Sequence, residues 1–153
     1  MIDIPGAAAL LEWFGRWPSF HNAEILSLGL HRSAPSKLRL CTFEVTGQLH
    51  PDGSYLLSKP LVVVFTLEGV SHLDLNGFSP QNVIAGLTLE QLPSGCYRLT
   101  LENCYGLSGS LLANHVSVHI EPGGAPRKYA KEPPPKTPFT HDDNLILLHR
   151  NLL

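Results

Sequence analysis

The sequence predicts a mainly β (α+β) domain: an antiparallel β-sandwich or rolled sheet with a short N-terminal helix and an appended C-terminal segment. Three observations predict it. Short segments that alternate apolar and polar residues recur between Glu24 and Glu121, with the period of half-buried strands. Gly- and Pro-containing turns such as "HPDGSY", "LPSG" and "YGLSG" separate them. No strand–helix–strand alternation argues for a parallel sheet. The 153 residues suffice for one domain with a core, not for two large ones.

In "PGAAALLEWFGRW", Leu10, Leu11 and Phe14 fall at helical spacing and Gly15 offers a stop, so a short helix is expected over about residues 6–15. "EILSLGLHR" follows as a strand, with Leu26, Leu28 and Leu30 on one face and Ser27, Gly29 and His31 on the other. "KLRLCTFEVTGQ" is a second strand. Its inward face switches between Leu40 and Phe43, which suggests a bulge near Cys41. "PLVVVFTLEG" is apolar on both faces, as a central strand should be.

Four further strands follow. "SHLDLNG" turns Leu73 and Leu75 inward, and "NVIAGLTLEQL" turns Val83, Ala85, Leu87 and Leu89 inward. "CYRLTLEN" does so with Tyr97, Leu99 and Leu101, and "NHVSVHIEP" with Val116, Val118 and Ile120. Residues 1–122 therefore make one β-rich domain. Residues 123–138, "GGAPRKYAKEPPPKTP", are too rich in Pro and Gly to build a core and read as a linker. Residues 139–153 form a short apolar helix or docking segment. Thr140 and Asp143 stand in capping-box spacing there. Leu145, Leu148 and Leu152 would dock on their own domain or on a second copy, which would make a homodimer.

Hydrophobic residues make up 43% of the chain and charged residues 16%, with a formal charge of -2. That balance is globular and shows no basic stripe, so nucleic acid is not an expected partner. The longest apolar run is strand-sized, and Glu12 interrupts the N-terminal one. Neither a membrane partner nor export is expected. Cys41, Cys96 and Cys104 are odd in number and lack CxxC spacing. They are expected as buried or half-buried free thiols in a reducing cytoplasm.

The chemical motifs are weak. "GLSGS", residues 106–110, lies between two strands rather than before a helix, unlike a nucleophile elbow. No phosphate-binding loop, dinucleotide fingerprint or HExxH occurs. Asp142 and Asp143 fit a solvated helix start. His115 and His119 are four apart, which on a strand separates them by about 13 Å, too far to share one ion. His21 with Glu24 is the compact candidate, and it would need a third ligand. Within "WPSFHNAEI" a structural role weighs more: Pro18 and Phe20 set the entry to the first strand, Trp17 packs on the core, and His21 bonds a nearby backbone group. No catalytic residue, cofactor site or metal site is therefore expected, and the protein is not expected to be an enzyme.

"FGRWPSFHNAEILSLGLHR" resembles the signature of the immunity protein 50 family of bacterial polymorphic toxin systems. Trp17, Pro18, Phe20, His21, Ala23, Glu24 and Arg32 fit that signature, while Asn22 stands where the family has Asp. Asn keeps the hydrogen-bonding shape and loses the charge. "VVVFTLEGVSHLDLNGFSPQNVIAGLTLE" and "YGLSGSLLANHVSV" resemble the family's second and third blocks, so the likeness spans about residues 13–121. The resemblance implies a small, non-catalytic cytoplasmic protein that binds and neutralises a cognate protein toxin. Two other functions compete with it: a small-ligand-binding β domain, and a metal-assisted hydrolase using His21 and Glu24.

Overall fold

The computed structural model describes residues 2–121 and Ile146–Leu147. One helix, α1 (Ala7–Phe14), precedes the strands β1 (Glu24–Gly29), β2 (Ser36–Leu49), β3 (Tyr55–Glu68) and β4 (Ser71–Asn76). Then come β5 (Val83–Gln91), β6 (Tyr97–Tyr105), β7 (Ser108–Ala113), β8 (His115–Glu121) and the two-residue β9 (Ile146–Leu147). All belong to one sheet in the order β4-β7-β6-β5-β1-β2-β3-β8, with β9 beside β3. Every pairing is antiparallel. The fold is mainly β, as expected. The proposed linker 123–138, and all of 139–153 except Ile146–Leu147, lie outside the described residues. Those two residues are extended and pair with Leu57 and Leu56.

The sheet has two halves and a narrow seam. On one side run β4, β7, β6 and β5; on the other run β1, β2, β3 and β8. The halves meet where Glu24 of β1 pairs with Val83 of β5. Both feed one core: Leu38, Leu40, Val63 and Phe65 lie in the same cluster as Leu87, Leu99, Leu101 and Leu111. A flat sheet could not bring those strands together, so the sheet rolls about the seam. α1 closes the roll, adding Ala7, Leu10 and Phe14 from one helical face.

The ends of α1 follow the sequence. The N–H of Gly15, at φ 72°, donates to the Leu11 carbonyl and stops the helix. Gly6, at φ 89°, lies against the Val118 carbonyl, where a Cβ would overlap it. Beside it the Val118 N–H donates to the Pro5 carbonyl at 2.9 Å, which ties the N-terminus to β8.

Several inward faces differ from the expected ones, and bulges are the reason. Ile25 pairs with Leu40 and Ser27 with Arg39, so Leu26 is an extra residue. The phase then shifts: Ile25 is buried and Leu28 packs partly on the core, while Leu30 is 45% exposed. In β5, Ile84 pairs with Asn103 and Gly86 with Glu102, which makes Ala85 the extra residue. Ile84, Leu87 and Leu89 thus face the core in place of the expected Val83–Ala85 alternation. Leu73 is half exposed, because the β4–β7 register breaks between Ser71 and Asp74, where His72 takes φ 52°.

In β2 the register runs unbroken through Cys41 and shifts between Thr42 and Glu44. Leu40 and Cys41 are both buried because both faces of the sheet are covered at that point, not because the strand bulges there. β3 carries Pro60 inside the same shift, where the ladder skips and a missing N–H costs nothing. β7, "SGSLLA", begins inside the expected turn "YGLSG" but is a strand that pairs with β6 and β4. Cys104 is exposed rather than buried, whereas Cys41 is buried and Cys96 is intermediate, and no disulfide joins any of them among the described residues.

Candidate functional site

The motif "WPSFHNAEI" lies at the seam. Phe20 and Asn22 both take left-handed backbone angles, φ 59° and 62°, rare for non-glycine residues and especially for a bulky aromatic one. The chain folds back on itself there, and the Ala23 N–H donates to the Phe20 carbonyl at 3.0 Å. This tight reversal drives the Phe20 ring inward. Phe20 is 1% exposed. Its ring meets Trp17 edge-on at 6.0 Å and Phe65 at 5.7 Å between centroids. Trp17 is half-buried against the core, and Pro18 is buried.

The main chain of the motif then sews the two half-sheets together. Asn22 N–H donates to the Ile84 carbonyl at 2.8 Å, and Ile84 N–H donates to the Ala23 carbonyl at 3.0 Å. Ile25 N–H donates to the Asn82 carbonyl at 2.8 Å. Asn82 is itself buried. Its Oδ1 accepts from the N–H groups of Ser79 and Leu107, both at 2.9 Å, and its Nδ2 donates to the Ser79 carbonyl at 2.7 Å. One side chain therefore holds the loop before β5 to the turn before β7, while its backbone holds β1. Asn82 is not among the residues that the sequence patterns single out. The signal available was an Asn after the turn-forming "GFSPQ", a residue type that bonds local backbone.

His21 is exposed, and its Nδ1 lies 2.9 Å from the carbonyl of Ala85, the bulged residue of β5. A carbonyl only accepts, so Nδ1 carries the hydrogen and Nε2 is the proton-accepting nitrogen of the neutral ring. The Asn22 Oδ1 lies 3.9 Å from the Cys104 sulfur, close enough for a weak S–H bond. Cys104 is also an extra residue, since Val83 pairs with Tyr105 and Ile84 with Asn103. Bulges at Ala85 and Cys104 thus turn groups toward the motif that a regular ladder would keep.

Glu24 is buried, 9% exposed, at the head of β1. Tyr105 stands near it. Burial first, then the negative charges of Glu24 and Cys104, holds the Tyr105 phenol above its ordinary value of 10.0. His21 thus turns to the bulge of β5. Arg32 lies beyond the end of β1, exposed, and not at the seam. Among the described residues, no group of three or more His, Cys, Asp or Glu side chains is placed to hold a metal ion. His115 and His119 are exposed on β8, opposite Glu68 and Val64 in the register. Among the described residues no helix is long and apolar enough to cross a membrane.

The chemistry available at the seam is modest. It comprises an imidazole held by one nitrogen, a buried carboxylate, a phenol that resists ionisation and an exposed thiol. Comparison of the chain with protein-family models, curated proteins and solved structures gives no match in any of the three.

Proposed function

We propose that this protein is an immunity protein that binds and neutralises a cognate bacterial toxin domain in the cytoplasm, without turning over a substrate. One observation carries the reading. The residues that bear the family resemblance are engaged in building the seam: Phe20 fills the core, Ala23 and Asn22 bond β5 through the backbone, and His21 bonds Ala85. A signature spent on architecture fits a binding scaffold whose partner surface lies elsewhere. It fits less well with a hydrolase centred on His21 and Glu24, because His21 Nδ1 is engaged with the Ala85 carbonyl. Exposed apolar side chains of the kind partner contacts use are present, among them Phe78 at 72% and Leu73 at 50% exposure.

The test is co-expression with the toxin domain encoded by the neighbouring gene. The intact protein should form a stoichiometric complex and restore growth, burying on the order of 1,600 Å² if the interface is of ordinary size. His21→Ala and Glu24→Ala, where they melt as cooperatively as the parent, should still protect. Loss of protection in a well-folded His21→Ala protein would move the function to the seam. Failure of the parent protein to bind or protect would defeat the reading.

A further inference from the structure

Among the described residues one phenylalanine is unlike the rest. Phe14, Phe20, Phe43 and Phe65 are each at most 7% exposed, whereas Phe78 is 72% exposed. It follows β4 directly, in the loop over residues 77–82 that leads to β5. A single exposed apolar side chain is ordinary on a protein surface. What sets Phe78 apart is how firmly the residues on either side of it are held.

Gly77, at φ 77°, lies against the Gly106 carbonyl, which a Cβ would meet at 2.7 Å. On the other side Ser79 is bound through three of its atoms. Its N–H donates to Asn82 Oδ1 at 2.9 Å, its carbonyl accepts from Asn82 Nδ2 at 2.7 Å, and its Oγ donates to the Gln81 carbonyl at 2.6 Å. Asn82 is 4% exposed and also accepts from the Leu107 N–H, which fixes the loop to the turn before β7. Phe78 is therefore carried between two pinned residues. Its backbone is ordered in the free protein, so seating the ring in a partner costs little further ordering.

The surroundings indicate which partner fits. β4 is the last strand of the sheet on this side, and its Leu73 is 50% exposed. From Ser71 to Ala113 the half-sheet β4-β7-β6-β5 carries the carboxylates Asp74, Glu90 and Glu102 against one Lys or Arg, Arg98. The Arg98 guanidinium lies 3.6 Å from Glu90. This half of the molecule is thus acidic. An anionic lipid surface matches it poorly, and so does the identical half of a second copy, since like charges would face each other. A basic protein surface matches it well.

We propose that Phe78 is the anchor by which this protein holds its toxin partner: the ring enters an apolar pocket on the toxin domain, and the rim of that pocket is basic and faces the acidic half-sheet. The proposal rests on the immunity reading above. Aromatic residues are enriched in interfaces, and a few side chains seated in well-packed pockets carry most of the binding energy. Rim charges act mainly on the rate of association.

Titration of the intact chain against the toxin domain encoded by the neighbouring gene tests this. Phe78→Ala should melt with the parent and bind about 30-fold more weakly or worse. Leu30→Ala, which removes a 45% exposed side chain beyond the end of β1, should bind within about 2-fold of the parent. Added salt should slow association of the parent, because it screens the charge attraction. In the free protein the Ser79 amide should exchange slowly, being bonded to a buried side chain. A Phe78→Ala protein that binds as tightly as the parent would overturn the anchor and leave the immunity reading standing. A parent that does not bind the toxin domain would defeat both. An association rate indifferent to salt would overturn the basic rim, and rapid exchange at Ser79 would overturn the preformed loop. A parent dimer that Phe78→Ala dissociates would assign the ring to a second copy and overturn the proposal.

Discussion

The ring of Phe20 stands edge-on to the ring of Phe65, with centroids 5.7 Å apart and planes at 62°. One residue belongs to the turn that enters β1 and the other to the centre of β3. Aromatic pairs prefer this geometry because the positive edge of one ring meets the negative face of another. The contact fixes the motif turn to the core and explains why a bulky residue is held at a positive φ.

Phe20→Ala should therefore be the most damaging change in the motif. Removing a buried phenylalanine ring costs about 3–5 kcal/mol. Trp17 is half-buried, so Trp17→Ala should cost less than Phe20→Ala. Urea denaturation of the two variants against the parent protein gives the order. A Phe20→Ala protein as stable as the parent would contradict the role assigned to the ring.

Asn82 should matter more than its place in a loop suggests. Asn82→Ala leaves the N–H groups of Ser79 and Leu107 without their acceptor. An unpaired buried donor costs about 1–3 kcal/mol. Asn82→Asp keeps the acceptor but loses the donor to the Ser79 carbonyl, so its stability should fall short of the parent. Denaturation midpoints, with amide exchange at Leu107 as the local reporter, check both statements. Unchanged protection at Leu107 in Asn82→Ala would count against the seam described above.

The Arg39–Glu121 pair should make stability weakly dependent on acid pH. The guanidinium meets both carboxylate oxygens, at 3.4 and 2.6 Å. The hydrogen bond from Arg39 holds the Glu121 carboxyl below its ordinary value of 4.5, against an opposing effect of burial. A depressed carboxyl contributes stability above its unfolded-state value and loses it as pH falls through the folded-state value. Both side chains are about one-third exposed, so the contribution should be only about 0.5 kcal/mol after solvent screening. Glu121→Gln should be less stable than the parent by about that amount at pH 7, and the gap should close well below pH 4.5. Urea midpoints for both proteins across that range, at low and high salt, measure it. A gap that persists at strongly acid pH would show that the pair acts through packing rather than charge.

Local patterns in the chain determined the class of fold, the helix with its Gly15 stop, and most strands. Period-two alternation and Gly/Pro turns depend on neighbours in sequence, so "CYRLTLEN" and "NHVSVHIEP" bury the expected faces. The place of the motif at the entry to β1 was legible for the same reason. Tertiary structure alone decided the bulges at Leu26, Ala85 and Cys104, which depend on how two strands register against each other. It alone decided that His21 bonds Ala85, 64 positions away, and that Asn82 joins three segments of chain. It also decided that Cys41 and Leu40 are both buried, since a strand's pattern cannot say whether its second face will be covered. Bulges shift the phase of alternation, and covered faces erase it; both arise from contacts between residues far apart in the chain.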